Sequence, residues 1–170
     1  MVFAEGQDFG RSARTGVRGP IHQFAQEEHT VNLNAHLMFN GQCKAAFEYY
    51  ERCFGGKIIT MITWGESPMK DRAPEGARDM ILHASLKVGD SFLLGADVAP
   101  KDYQQPQGFY IALGIDDVAE AERIFDALAK NGTVQMPLQQ TFWAIRFGMV
   151  VDQFGVPWEI NCENASPDES

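Results

Sequence analysis

The sequence predicts an α+β fold made of two consecutive β-α-β-β-β modules. Three observations carry that prediction. Short strand-like runs flank two amphipathic stretches, the order of elements repeats, and landmark residues recur at nearly constant spacing.

The first module starts at "VNLNAHLMF" (31–39), whose alternation marks a strand, and Asn40–Gly41 ends it. Cys43, Ala46, Phe47, Tyr50, Cys53 and Phe54 then fall at helical spacing, with Gly55–Gly56 as the stop. "KIITMITWG" (57–65), "DMILHASLKVG" (79–89) and "SFLLGADV" (91–98) are strand-like, with Gly89–Asp90 a tight turn between the last two. The polar stretch from Glu66 to Asp79 reads as a loop.

The second module repeats this order. "GFYIALGI" (108–115) is a strand, Asp116–Asp117 start a helix, and Val118, Ala121, Phe125 and Leu128 form its apolar stripe up to Asn131–Gly132. "TVQMPLQQ", "FWAIRFGMVVD" and "VPWEIN" supply three more strands, the last two joined by the turn residues of "DQFG". Leu37 and Leu113, Phe39 and Ile115, and Gly56 and Gly132 lie 76 positions apart. The helix pairs Cys43/Val118, Ala46/Ala121 and Tyr50/Phe125 lie 75 apart, so one residue was gained or lost in the strand-to-helix turn. The modules span about 31–98 and 108–163 and read as one domain. Residues 1–30 and 164–170 are polar, with scattered apolar residues, and read as a flexible extension and tail.

Composition narrows the function. A net charge of −9 repels phosphate backbones and disfavours nucleic acid. Three cysteines without a CxxC pair form neither a disulfide scaffold nor a zinc knuckle and fit a reducing cytoplasm. The start lacks the apolar run of a signal peptide, and no stretch is apolar for long enough to span a bilayer. No GxGxxG, P-loop or GxSxG follows a strand, which removes dinucleotide, nucleoside-triphosphate and serine-hydrolase readings.

The motifs "LMFNGQCKAAFEYYERCFGG", "ILHASLKVGDSFLLGAD" and "TFWAIRFGMVVDQFGVPWEIN" resemble the PhnB-like branch of the vicinal-oxygen-chelate superfamily, which includes glyoxalase I, bleomycin-resistance proteins and extradiol dioxygenases. The resemblance covers about residues 31–163. It implies two paired modules whose curved sheets form a cleft, and a homodimer. In metal-binding relatives, the first and last strands of each module supply one ligand each. Carried over, those positions fall on Glu159, after the turn glycine Gly155, and on Tyr110, Asn34 and the neighbourhood of Leu93–Leu94. A phenol holds its proton near neutral pH and is a poor metal ligand. Only Glu159 keeps a good donor, with His36 a possible displaced ligand for zinc, nickel, manganese or iron. Some members of the branch bear a demethylubiquinone methyltransferase label, but no glycine-rich loop for a methyl donor is present.

Each candidate has a plainer reading beside its functional one. Glu159 is either a metal ligand or general base, or a carboxylate paired with Arg146. His36 is either a ligand or a histidine satisfied by one hydrogen bond. His83 shares a face with Ser85 and Lys87 that is either cleft or solvent. Trp143, Phe147, Trp158 and Tyr110 either line the cleft for a planar or apolar ligand or belong to the core. Two functions follow. One is the binding of a small apolar or aromatic molecule without chemistry. The other is metal-assisted lyase, isomerase or dioxygenase chemistry on a small oxygenated substrate.

Overall fold

The computed structural model describes residues 31–163, so the expected extension (1–30) and tail (164–170) lie outside the described residues. The first module contains β1 (Ala35–Phe39), α1 (Cys43–Phe54), β2 (Lys57–Thr63), β3 (Ile81–Val88) and β4 (Ser91–Asp97). The second contains β5 (Ile111–Gly114), α2 (Val118–Ala129), β6 (Thr133–Gln139), β7 (Ala144–Val151) and β8 (Pro157–Glu163). The sheets are ordered β1-β4-β3-β2 and β5-β8-β7-β6, each with one parallel pair, β1 with β4 and β5 with β8. The α+β prediction and the repeat of element order both hold.

The starts of two strands move by three residues or more. The first strand begins at Ala35 rather than residue 31, leaving Asn34 exposed ahead of it. The fifth begins at Ile111, because Gly108 lies at φ +77° in the preceding bend. That positive φ is incompatible with a continuing strand.

The helices are fixed at both ends by local chemistry. Asp117 caps α2 by accepting from the Glu120 amide at 2.8 Å. The first helix has no side-chain cap of its own, and Asp97 of β4 serves instead, accepting from the Cys43 amide at 3.0 Å. Gly55 and Asn131 end the helices in the left-handed region, at φ 64° and 61°. The following glycines explain a repeated landmark. A β-carbon on Gly56 would stand 2.6 Å from the Lys87 carbonyl oxygen, and one on Gly132 would stand 2.5 Å from that of Val151. The two positions tolerate no side chain for the same reason.

One hydrophobic core serves both modules. At its centre the ring of Tyr50 stacks on Phe54 and meets Phe47, Phe154 and Trp158 edge-on or tilted. Buried Asp152 ties the modules together. It accepts from the Tyr50 hydroxyl at 2.6 Å, the Trp158 indole N–H at 2.8 Å and the amides of Phe154 and Val156 at 2.8 and 3.0 Å. Four donors offset the cost of burying a carboxylate. Each sheet therefore turns one face to the shared core and leaves the other open.

Candidate functional site

Strand alternation and register decide which residues reach the open faces. On the first sheet, Leu37 and Phe39 are buried and Gly95 packs under Phe47, so His36 and Met38 point the other way. His36 is paired with Leu94, Leu94 with Ser85, and His83 with Ile62, which puts both histidines and Lys87 on the open face. His83 thus lies half-buried on this open face. Partial burial, and then the proximity of His83, hold the His36 imidazole below the ordinary histidine range.

On the second sheet, Glu159 is paired with Ala112 on one side and Met149 on the other. Asn161, paired with Gly114 and Phe147, is the next residue along the same face. Glu159 is half-buried and has no ion pair or hydrogen bond among the described residues. The Asn161 side-chain amide donates to Glu163 at 2.8 Å, while its buried Oδ1 has no partner. Phe147 meets Trp143 at 5.3 Å between ring centroids, and Trp143 meets Phe142 at 4.6 Å, so an exposed aromatic cluster borders Asn161. Trp143 is 43% exposed and Phe142 95%.

At the other end of this face, the Tyr110 hydroxyl donates to Gln135 Oε1. Tyr110 precedes β5 and Gln135 lies in β6, the two edges of one sheet, so the bond reaches across Pro157 and Val151. Sheet 2 is accordingly concave. The depression beneath this bridge has a volume of about 750 Å³.

Several expected site residues point elsewhere. Trp158 does not line the open face. It is 1% exposed, lies against Tyr50 and Phe54 in the core, and must face opposite to Glu159 because the two are neighbours in a strand. Arg146 does not hold Glu159 either, but pairs with Glu122 of α2 at 2.8 Å on the helix side. Asp97, the nearest carboxylate to the first module's ligand position, is turned inward to the Cys43 and Ile81 amides. Registers identify the true counterpart of Glu159. His36 opposes Leu94 as Ala112 opposes Glu159, and 112 − 76 = 36, so the counterpart is Leu94.

This arrangement does not suit a metal within one chain. The described residues contain no group of three or more His, Cys, Asp or Glu side chains able to hold an ion. His36 and Glu159, the two expected donors, lie on different sheets, and each has an aliphatic residue at its counterpart position, Ala112 and Leu94. Tyr110 is engaged with Gln135. No helix among the described residues is long and apolar enough to cross a membrane.

Comparison with known proteins agrees with this architecture. Protein YjdN of Escherichia coli K12 is 36% identical over 143 residues, covering 79% of this chain and 97% of YjdN. The crystal structure of PA1353 from Pseudomonas aeruginosa matches with a TM-score of 0.73 and 44% identity, over 79% of this chain and 98% of that one. A PhnB protein from Bacillus cereus shares the fold, with a TM-score of 0.66 at 20% identity, over 76% of this chain and 98% of its own. The model of the glyoxalase/bleomycin resistance protein/dioxygenase superfamily matches residues 28–160. The chain belongs to that superfamily.

Proposed function

We propose that the protein binds a small aromatic or apolar molecule bearing a positive charge on the concave face of its second sheet, without transforming it. The observation that carries this reading is the isolation of Glu159. A half-buried carboxylate without a partner among the described residues, flanked by Ala112, Met149 and Pro157, is a strong site for a cation brought by a ligand. Phe147 and Trp143 supply aromatic surface to hold the rest of the molecule.

A homodimer fits the same reading. The first open face carries His36, His83 and Lys87 with exposed Met38, Ile62 and Phe92, and the second carries Glu159 and Glu163. Opposite charge and exposed apolar area suit the first face of one copy to cover the second face of another. Three buried, unpaired cysteines fit a reducing cytoplasm.

The test is a titration of the purified protein with cationic aromatic amines, followed by tryptophan fluorescence, with Trp143→Phe to assign the signal. Glu159→Gln should weaken the amines at least tenfold and leave neutral aromatics unaffected. Silence across the panel overturns the proposal. Metal analysis of protein purified without chelator tests the competing metal-enzyme reading. Stoichiometric zinc, nickel, manganese or iron that is lost in Glu159→Ala would replace binding with catalysis.

A further inference from the structure

The depression under the Tyr110–Gln135 bridge has a chemistry of its own. Its rim is the segment joining the modules, "YQQPQGFY" (103–110), which places Gln104, Gln105 and Gln107 opposite Gln135. Its floor is Pro157 and Val151, neighbours in register on the concave face. None of the ten described residues that line it is charged, although 22% of the chain is. Each glutamine amide offers two donors and an acceptor, and Gln135, whose oxygen already accepts from Tyr110, has its NH2 left to donate. Gln105 and Tyr103 reach back to within 4 Å of the β-carbon position of Gly155, so the rim lies beside the β7–β8 turn. A depression whose described polar groups are amides and a phenol matches an uncharged hydrogen-bonding group and offers an ionised one no countercharge.

Position along the strand sets the rest. Pro157 and Glu159 are two residues apart on one face, about 7 Å at the strand rise. We infer that this depression is a second subsite of the same ligand site, taking a neutral carboxamide or hydroxyl group about 7 Å from the cation held by Glu159. The inference rests on the proposed binding function and adds the ligand's second recognition element and its spacing. The first module has no matching feature, since Asn34, the counterpart of Tyr110, makes no hydrogen bond across its sheet among the described residues.

Four small probes test it. Benzylamine carries only the cation and ring. 4-(Aminomethyl)benzamide adds a carboxamide at the required distance, 4-(aminomethyl)benzyl alcohol adds a hydroxyl, and 4-(aminomethyl)benzoate adds a charge. Affinities are measured by calorimetry, and the glutamine side-chain NH2 signals are followed by 15N NMR. The amide or the alcohol should bind at least tenfold more tightly than benzylamine, and whichever does so identifies the group. The benzoate should gain nothing, and the Gln105 and Gln135 signals should shift only with the favoured probe. Gln135→Leu should bring that probe down to the level of benzylamine measured on the same variant, and Gln105→Ala should reduce the preference. Equal binding of all four probes, or a preference that survives both variants, overturns the inference. If benzylamine binds through Glu159 but no probe improves on it, the subsite alone falls. If nothing binds, the proposed function falls with it.

Discussion

The two modules share a scaffold but not a surface. Their glycines at 56 and 132 are excluded from bearing a side chain by the same strand carbonyl, and their helices end in the same left-handed turn. On the open faces, counterpart positions have parted: His36 against Ala112, Leu94 against Glu159, and Asn34 against a Tyr110 that bridges its sheet. The comparison teaches that the duplicated residues specify folding, whereas the residues facing outward have divided the chemistry. Imidazoles and an amine went to one module, and carboxylates, glutamines and the Phe142–Trp143–Phe147 cluster to the other.

The largest effects should come from breaking the shared core where the modules differ most. Trp158 and its register counterpart Leu93 both face inward, but only Trp158 packs against the Tyr50 cluster of the other module and donates to Asp152. Trp158→Ala should cost about 3–5 kcal/mol and Leu93→Ala about 2–3 kcal/mol. Urea denaturation measures both, and equal losses would mean that the second module is no more central to the core than the first.

The scaffold should be symmetric where the surface is not. Gly56→Ala and Gly132→Ala each force a β-carbon against a carbonyl oxygen and should each cost about 1–3 kcal/mol. Gly41 has no neighbour within 4 Å of its β-carbon position, so alanine there suffers only the strain of φ +76°. A large difference between Gly56 and Gly132 in thermal denaturation would break the equivalence. Smaller still is Arg146→Ala, which removes a partly exposed ion pair with Glu122 and should cost at most about 1 kcal/mol. It should leave ligand affinity at Glu159 unchanged, and a loss of affinity would put the guanidinium back on the open face.

How much of this was legible in the sequence follows from what a strand encodes. Alternation gives two faces and helical spacing gives a stripe, so the order of elements, the helix ends and the repeat could be read directly. Alternation does not say which face is inside. Trp158 and Glu159 are adjacent and so were Arg146 and Phe147, and no strand could have presented both members of either pair to one cleft. That constraint removes one member of each pair from a shared cleft, and only the packing of Trp158 against Tyr50 and the pairing of Arg146 with Glu122 show which. Asp152 carries only a turn signal in the sequence, because its donors Tyr50, Phe154, Val156 and Trp158 come together only in the folded chain. The glutamine-rich rim leaves no such signal, because a connecting segment has no periodicity to reveal what it faces.

The smallest expected effect is the most specific to the division between the modules. His36 has no titratable counterpart in the second module, where Ala112 occupies its place. Burial and the approach of His83 depress its folded-state protonation below the ordinary value of 6.5. The unfolded chain therefore takes up this proton first as pH falls. Stability from this source is complete above about pH 6.5, declines as pH drops through that value, and levels off once the folded imidazole is also charged. His36 is largely exposed, so solvent screening should keep the effect below about 1 kcal/mol. The urea midpoint of His36→Gln should fall less than that of the native protein between pH 7.5 and 5.5, and His83→Gln should recover part of the same difference by removing the neighbouring charge. Identical pH profiles in all three proteins would show that the two imidazoles do not interact across the first open face.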